Sequence, residues 1–173
     1  MRPAFPIRPA TAEDAPAISA LVLSVAHFFT LDPKGLGAED FLRTLEPDAV
    51  AARLSAASFA TWVAVADGDG ATGATGADGT NGATGSAMAD VVVVRGGSHL
   101  FHLFVAEPFQ GQGVARRLWL HALSHLAPGT RTTVNATPFA QGFYERMGFV
   151  ATGPTVQTRG IAFVPMVRES GPA

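Results

Sequence analysis

The chain contains no cysteine and a single lysine among its 173 residues. The absence of cysteine excludes disulfide bonds, thiolate metal sites, iron–sulfur clusters and every mechanism with a cysteine nucleophile. Because glycine follows the lone Lys34, a phosphate-binding loop of the Gly-Lys-Ser/Thr type is also excluded. Charged residues make up only 15% of the chain and the net charge is −2, so it lacks the strongly basic character of nucleic-acid-binding domains.

Long hydrophobic runs are missing too, although hydrophobic residues make up 47% of the chain. The most apolar window, residues 18–29, is far shorter than the roughly 20 residues that a bilayer-crossing helix needs. Prolines and acidic residues interrupt the first 14 residues, which therefore lack the charged and then apolar profile of a signal peptide. We expect one soluble, cytoplasmic domain over residues 1–173, with no membrane or nucleic-acid partner.

Hydrophobic periodicity predicts alternating strands and helices. The strands are expected at residues 7–10, 59–66, 88–95, 99–105, 130–134, 149–152 and 161–167. The helices are expected after a cap at Thr11, over 41–54 with an interruption at Pro47, over 113–126 and over 139–147. This order predicts an α/β (α+β) fold, a mixed and mostly antiparallel sheet with helices on both faces.

Glycine occupies every third position from Gly70 to Gly85. Collagen has this period, but the stretch has no proline and only five triplets, so a triple helix is not expected. Residues 68–73 also match G-x-G-x-x-G, but no apolar helical stripe follows, as a dinucleotide-binding site requires. We predict a flexible loop between two strands over about residues 67–87.

The segment from Leu103 to Leu118, LFVAEPFQGQGVARRL, carries the strongest chemical signal. A predicted strand ends at Val105, and a helix begins near Gly113 after a short glycine-containing loop. The first N–H groups of a helix have no partner within it and attract phosphates. The segment therefore predicts a phosphate or pyrophosphate site, with Arg116 and Arg117 beside it. The alternative is an ordinary strand–loop–helix connection in which the glycines serve only the turn.

Motifs in a fixed order resemble the GNAT acyltransferase superfamily. They are Gln110-x-x-Gly113-x-Ala115, which fits the family pattern Q/R-x-x-G-x-G/A, then Asn135 at a strand end, the segment FYERMGF at 143–149, and the tail GIAFVPM at 160–166. The resemblance covers nearly the whole chain, and one departure from it is the glycine-rich loop, which replaces the usual short connection between two strands. It implies the GNAT fold, acetyl-coenzyme A as the cofactor and a primary amine as the acceptor.

The resemblance also implies roles for individual residues. Tyr144, the single tyrosine, matches the family's acid that protonates the leaving thiolate. A backbone N–H near Val105 is implied as the donor to the developing oxyanion. The implied cofactor-binding residues are Phe104, Val105, Gln110, Gly111, Gln112, Gly113, Val114, Ala115, Arg116 and Asn135.

The residue that accepts the amine's proton is left open. His99 and His102 lie on the strand that would flank the thioester, and the histidine pKa near 6.5 suits a base. Strict alternation places His99 on the face of Val105 and His102 on the other, although a bulge would exchange the two. The alternatives are a structural role for either histidine and an ordered water as the base.

For the acceptor, the resemblance implies the region of His27, Phe28 and Phe29. We expect a small-molecule amine, with a protein or peptide amine, or a non-catalytic acyl-CoA sensor, as the alternatives. A closed pocket would favour the small molecule and an open groove the protein. His121 and His125 have metal-binding spacing but no third ligand in the sequence, so no metal site is predicted. A homodimer is left open.

Overall fold

A computed structural model describes residues 5–66 and 87–170. The strands are β1 Ile7–Pro9, β2 Phe59–Ala66, β3 Ala87–Arg95, β4 His99–Val105, β5 Thr132–Ala136, β6 Val150–Ala151, β7 Val156–Thr158 and β8 Ile161–Arg168. The α-helices are α1 Ala15–Ser24, α2 Glu39–Arg43, α3 Pro47–Ser55, α4 Val114–Ser124 and α5 Gln141–Arg146. None of the helices in these two ranges is long and apolar enough to cross a membrane.

The strands form one sheet in the order β1-β2-β3-β4-β5-β8-β6, with β7 paired to β8. All pairings are antiparallel except that of β4 with β5. The central strand β3 is buried on both faces, which explains its run of four valines. The predicted mixed, mostly antiparallel sheet is confirmed.

Helices cover both faces of the sheet, as predicted. Val91 and Val93 pack in one buried layer with Ile18 of α1, and α3 completes this layer, which we call the α1 face. Val92 packs with Leu118 of α4 on the opposite side, which we call the α4 face. Because residues alternate along a strand, the valine run supplies both layers from one segment.

The sheet opens between β4 and β5. These strands pair at only two positions, His99 with Thr133 and Leu100 with Val134. Beyond Leu100 they diverge, so the second half of β4 presents an edge that β5 does not cover. A bulge lies at the same place, since Val94 pairs with Leu100 but Val93 pairs with His102, which leaves Phe101 as the extra residue. The divergence creates a cleft in the middle of the sheet.

The element boundaries differ from the predictions in a few places. The strand expected at 130–134 lies two residues later, and the helix expected over 139–147 is a 3₁₀ turn at Pro138–Ala140 followed by α5. Strand β7 was not predicted, because its three residues are all exposed and carry no hydrophobic pattern. The predicted flexible loop lies outside the described residues except for Ala87, which begins β3.

Candidate active site

A cavity of about 370 Å³ occupies the cleft between β4 and β5. Its walls come from the open edge of β4, the loop before α4, the end of β5 and helix α5. The aromatic side chains Phe28 and Phe139 also line it. The predicted site residues in its walls are Phe28, His102, Phe104, Val105, Gln110, Gly111, Ala115, Asn135 and Tyr144.

The predicted phosphate loop has the backbone that such a site requires. Gly111 and Gly113 have φ angles of 73° and 79°, in the left-handed region that favours glycine. No atom lies within 4 Å of the position where a Cβ would stand on either glycine, so the loop is open to an approaching ligand. Gly113 directly precedes α4, whose first N–H groups have no acceptor within the helix.

Two glutamine side chains hold this loop in place. Gln110 Nε2 donates to the carbonyl of Val105 at 3.2 Å, and Gln112 Nε2 donates to the carbonyl of Pro108 at 3.0 Å. The glutamine of the motif therefore connects the loop to the end of β4. This leaves the backbone N–H groups, rather than the glutamine amides, as the donors for a ligand.

The remaining predicted cofactor-binding residues divide by exposure. Gln112, Gly113 and Arg116 are exposed beside the start of α4. The side chain of Val114 is buried in the core, so only its backbone N–H, the group that the predicted phosphate site uses, can face a ligand. Arg117 donates to the carbonyl of Phe5 at 3.3 Å, so its guanidinium serves the N-terminal segment.

Tyr144 lies on α5 with its ring packed edge-on against Phe143 and Phe149. It is 5% exposed and reaches the cavity wall. Burial raises the pKa of its phenol, and the charge of Asp90 raises it further. The phenol therefore keeps its proton at neutral pH and can donate it to a group in the cavity.

The bulge at Phe101 changes the face on which His99 lies and leaves His102 on the face opposite Val105. His99 pairs with Arg95 and His102 with Val93, so both side chains face the α1 face, whereas Val105 pairs with Asp90 on the α4 face. The prediction that His99 shares the face of Val105 is therefore wrong. The cause is the extra residue, which breaks the alternation that the sequence alone suggests.

Only one of the two candidate bases lines the cavity. His102 does, and its ring lies between Phe101 and Phe104, with centroids 4.3 and 5.2 Å away. Burial, aided by Arg53, lowers the pKa of His102 to about 3. His99 is outside the cavity wall, where its Nδ1 lies 2.8 Å from Thr133 Oγ1, and burial lowers its pKa as well.

Of the residues predicted to bind the acceptor, Phe28 lies in the cavity wall and Phe29 lies in the hydrophobic core. Phe28 lines the cavity, and the ring of His27 packs on it at 4.1 Å. The prediction that Phe29 binds the acceptor is wrong, because its side chain is buried in the core between Phe41 and Phe104 and does not line the cavity. The 3₁₀ turn at Ala26–Phe28 ends between Phe28 and Phe29, so the ring of Phe28 faces the cavity and the ring of Phe29 faces the core.

Several wall residues were missed by the sequence reasoning. They include Thr137, Phe139, Phe143 and Arg146, on α5 and the turn before it. The signal that could have found them is the Thr137-Pro138 pair, typical of a helix start, where Thr137 Oγ1 accepts the N–H of Ala140 at 3.2 Å. A helix starting there would present Phe143 and Arg146, three residues apart, on one face.

His121 lies on α4 and His125 directly follows it, away from this cavity, with their rings 4.6 Å apart beside Trp62. Within residues 5–66 and 87–170, no three His, Asp or Glu side chains are grouped so that they could hold a metal ion. The described histidine pair packs on the Trp62 ring instead.

The chain is similar to a curated relative over part of its length. It is 47% identical over 58 residues to the peptidyl-lysine N-acetyltransferase YjaB of Salmonella typhimurium. This match covers 33% of the chain and 39% of the relative. The similarity therefore shows a shared segment and does not establish the activity of the whole protein.

Solved structures share the fold over nearly the whole chain. A GCN5-related N-acetyltransferase from Rhodopseudomonas palustris has a TM-score of 0.64 and 20% identity and covers 96% of both chains. The PaiA N-acetyltransferase from Thermoplasma acidophilum, solved with coenzyme A, has a TM-score of 0.66 and 11% identity over 96% of this chain and 99% of that one. The apo form of YjaB from Escherichia coli has a TM-score of 0.57 and 25% identity over 95% and 97%.

The family model described as "Acetyltransferase (GNAT) domain" matches residues 29–170. The match includes the cleft, the loop before α4 and helix α5. It confirms the resemblance inferred from the motifs, and the chain belongs to the GNAT acetyltransferase family.

Proposed function

We propose that the protein transfers an acetyl group from acetyl-coenzyme A to the primary amine of a small molecule by direct attack. The observation that carries this proposal is the meeting of three features in one cavity. These are the loop with the free N–H groups of α4, the uncovered edge of β4 and the protonated phenol of Tyr144.

The residues present fit coenzyme A. The loop around Gly111 and Gly113 offers N–H donors and open space for a diphosphate, and exposed Arg116 adds positive charge. Apart from the Val105 carbonyl, which accepts Gln110, the edge of β4 from Phe101 to Val105 offers backbone groups that β5 does not pair to the amides of the pantetheine arm, as when a strand is added to a sheet. When bound, acetyl-coenzyme A supplies an activated thioester.

Groups of the chain then stabilise the developing negative charge and transfer protons. A backbone N–H near Val105 donates to the carbonyl oxygen on which negative charge develops. The amine nitrogen bonds to the carbonyl carbon as the carbon–sulfur bond breaks, and the amine gives up its proton to water. The Tyr144 hydroxyl donates its proton to the leaving thiolate and is reprotonated from solvent. Because the chain has no cysteine and no G-x-S-x-G sequence, an acyl-enzyme is not part of this proposal.

Replacement of Tyr144 tests the proposal. Tyr144→Phe keeps the ring and removes the acid, so kcat should fall by about 10²-fold or more. The affinity for coenzyme A, measured by calorimetry, should change little. Thr158→Val is the control, because it removes an exposed hydroxyl in β7, outside the cavity, and should leave kcat unchanged. An unchanged kcat in Tyr144→Phe would refute the acid role.

A second candidate acceptor is a lysine side chain of a protein or peptide. It is favoured by the 47% identity to a peptidyl-lysine N-acetyltransferase, over a third of this chain. Thiol release measured with small amines and with lysine-containing peptides separates the two acceptors. Binding of coenzyme A without thiol release on any amine would support a non-catalytic acyl-CoA sensor instead.

A further inference from the structure

The charge of the cavity wall restricts the acceptor. Among the described residues that line the cavity, Arg146 is the one charged side chain, and none is a carboxylate. His102 is uncharged at neutral pH. A polyamine or an aminosugar carries several positive charges, and each needs a negative or strongly polar partner when it leaves water. The wall therefore suits an acceptor with a single amine.

The mouth of the cavity is built from two aromatic rings. Phe28 belongs to the turn after α1, and Phe139 belongs to the turn before α5. Their rings are stacked, with centroids 4.3 Å apart and planes 18° apart. Phe139 is nevertheless 65% exposed, so most of its apolar surface faces water at the entrance. Exposed aromatic surface beside a cleft gains most when a flat apolar group covers it.

This aromatic pair is held in position by a polar contact. Nε2 of His27 lies 3.2 Å from a carboxylate oxygen of Glu107, and the ring of His27 packs on Phe28. Glu107 begins the 3₁₀ turn at Glu107–Phe109, which follows β4 directly. The contact therefore connects the Phe28 wall to the segment that leads from β4 into the phosphate loop. The rings are in place beside the loop before any acceptor arrives.

We propose that the acceptor is a monoamine with a flat aromatic body, that is, an arylalkylamine. Its ring packs against Phe139 and Phe28, and its amine reaches inward to the β4 edge and Tyr144. This inference rests on the proposed acetyl transfer and specifies the acceptor class. The products are the N-acetylated arylalkylamine and coenzyme A with a free thiol, since the amine's proton and the acetyl group change places.

The test compares amines by thiol release from acetyl-coenzyme A. The probes are 2-phenylethylamine, butylamine, spermidine and a peptide with one lysine. We expect kcat/KM for 2-phenylethylamine to exceed the values for butylamine and spermidine by about tenfold or more, since the ring adds a buried aromatic contact. An equal or higher kcat/KM for spermidine or the peptide would overturn the inference.

A variant of Phe139 tests whether the Phe28–Phe139 pair causes the preference for 2-phenylethylamine. Phe139→Ala should raise KM for 2-phenylethylamine by about tenfold and change KM for butylamine and acetyl-coenzyme A less than about twofold. Val150→Ala is the matched control, because Val150 is 66% exposed on β6 and does not line the cavity. An equal loss for both amines in Phe139→Ala would show a structural effect and overturn the inference.

The failure of this inference differs from the failure of the proposed function. Turnover of spermidine or the peptide without a preference for the aryl amine removes only the acceptor class. No thiol release with any of the four amines, or no binding of coenzyme A by calorimetry, removes the acetyl transfer and the inference with it.

Discussion

Arg8 and Asp14 face each other through two parallel hydrogen bonds of 2.7 Å, from the guanidinium Nη1 and Nη2 to the two carboxylate oxygens. One of these oxygens also accepts the backbone N–H of Thr11 at 2.7 Å. The side chain of Asp14 is only 11% exposed, whereas that of Arg8 is 47% exposed. The pair joins the edge strand β1 to the turn that leads into α1, and thereby positions the helix that covers the α1 face.

Asp14→Asn should weaken this connection. The hydrogen bonds from Arg8 lower the pKa of Asp14, so the carboxylate stabilises the fold above its unfolded pKa, near 3.9, and this contribution is lost as the pH falls through the folded value. We expect a loss of about 1–2 kcal/mol at pH 7, discounted for the exposed Arg8, and a smaller difference below about pH 4. Urea unfolding at both pH values measures it.

Asp40→Asn provides the comparison for Asp14→Asn. Asp40 pairs with Arg43 on α2, and both side chains are mostly exposed. Its removal should cost less than about 0.5 kcal/mol, because exposed ion pairs are screened by water. Equal losses in the two variants would contradict the special role of the Arg8–Asp14 pair.

Asp90 is expected to destabilise the fold at neutral pH. Its side chain is fully buried on the α4 face, and neither carboxylate oxygen has a side-chain partner among the described residues. Burial raises its pKa well above the usual value. Since the folded state binds this proton more tightly than the unfolded chain, stability falls as the pH rises from about 4 through the raised pKa.

Asp90→Asn has nearly the same shape and stays uncharged at every pH. It should match the wild type near pH 4 and be more stable by about 1–3 kcal/mol at pH 8. Thermal or urea unfolding across this range gives the two curves. Parallel curves, with the same difference at pH 4 and pH 8, would show that the charge of Asp90 is not the cause.

The local sequence was sufficient to predict the strands and helices that have a continuous hydrophobic pattern. Strands β2 and β4 begin and end at the predicted residues, because their β-branched and aromatic residues lie between turn-forming segments. The cap at Thr11 is confirmed as a capping box with Asp14. The glycine-containing loop before α4 was also predictable, since glycine spacing and the start of a helix are both local features.

The rest of the site depends on contacts between distant segments. The bulge at Phe101 is set by the pairing of β4 with β3, and it decides on which face of the sheet His99 lies. Phe28 and Phe139 are more than a hundred residues apart, so no local pattern predicts that they stack. Phe29 is the same residue type as Phe28 and directly follows it, and only the end of a 3₁₀ turn directs its ring into the core.

Gly113→Ala should reduce the affinity for coenzyme A. Its φ of 79° is costly for alanine, by about 1–2 kcal/mol, and relief of this strain would rotate the N–H groups at the start of α4. Gly129→Ala is the matched control, because Gly129 has a φ of 82° in a turn that does not line the cavity. Both variants should lose similar stability in urea, but only Gly113→Ala should show a raised Kd in calorimetry. A raised Kd in both would indicate a general loss of structure.

The pH dependence of turnover should not report on His102. With a pKa of about 3, its imidazole is already uncharged from pH 5 upwards. The acceptor amine, by contrast, has an ordinary pKa of about 10, so kcat/KM should rise about tenfold for each pH unit between roughly 6 and 8. His102→Gln should keep this slope and lower kcat/KM less than about tenfold, because it removes a wall contact rather than a titrating base. His99→Gln, outside the cavity wall, should leave both slope and magnitude unchanged. An inflection near pH 6.5 in the wild type that disappears in His102→Gln would instead identify this histidine as the base.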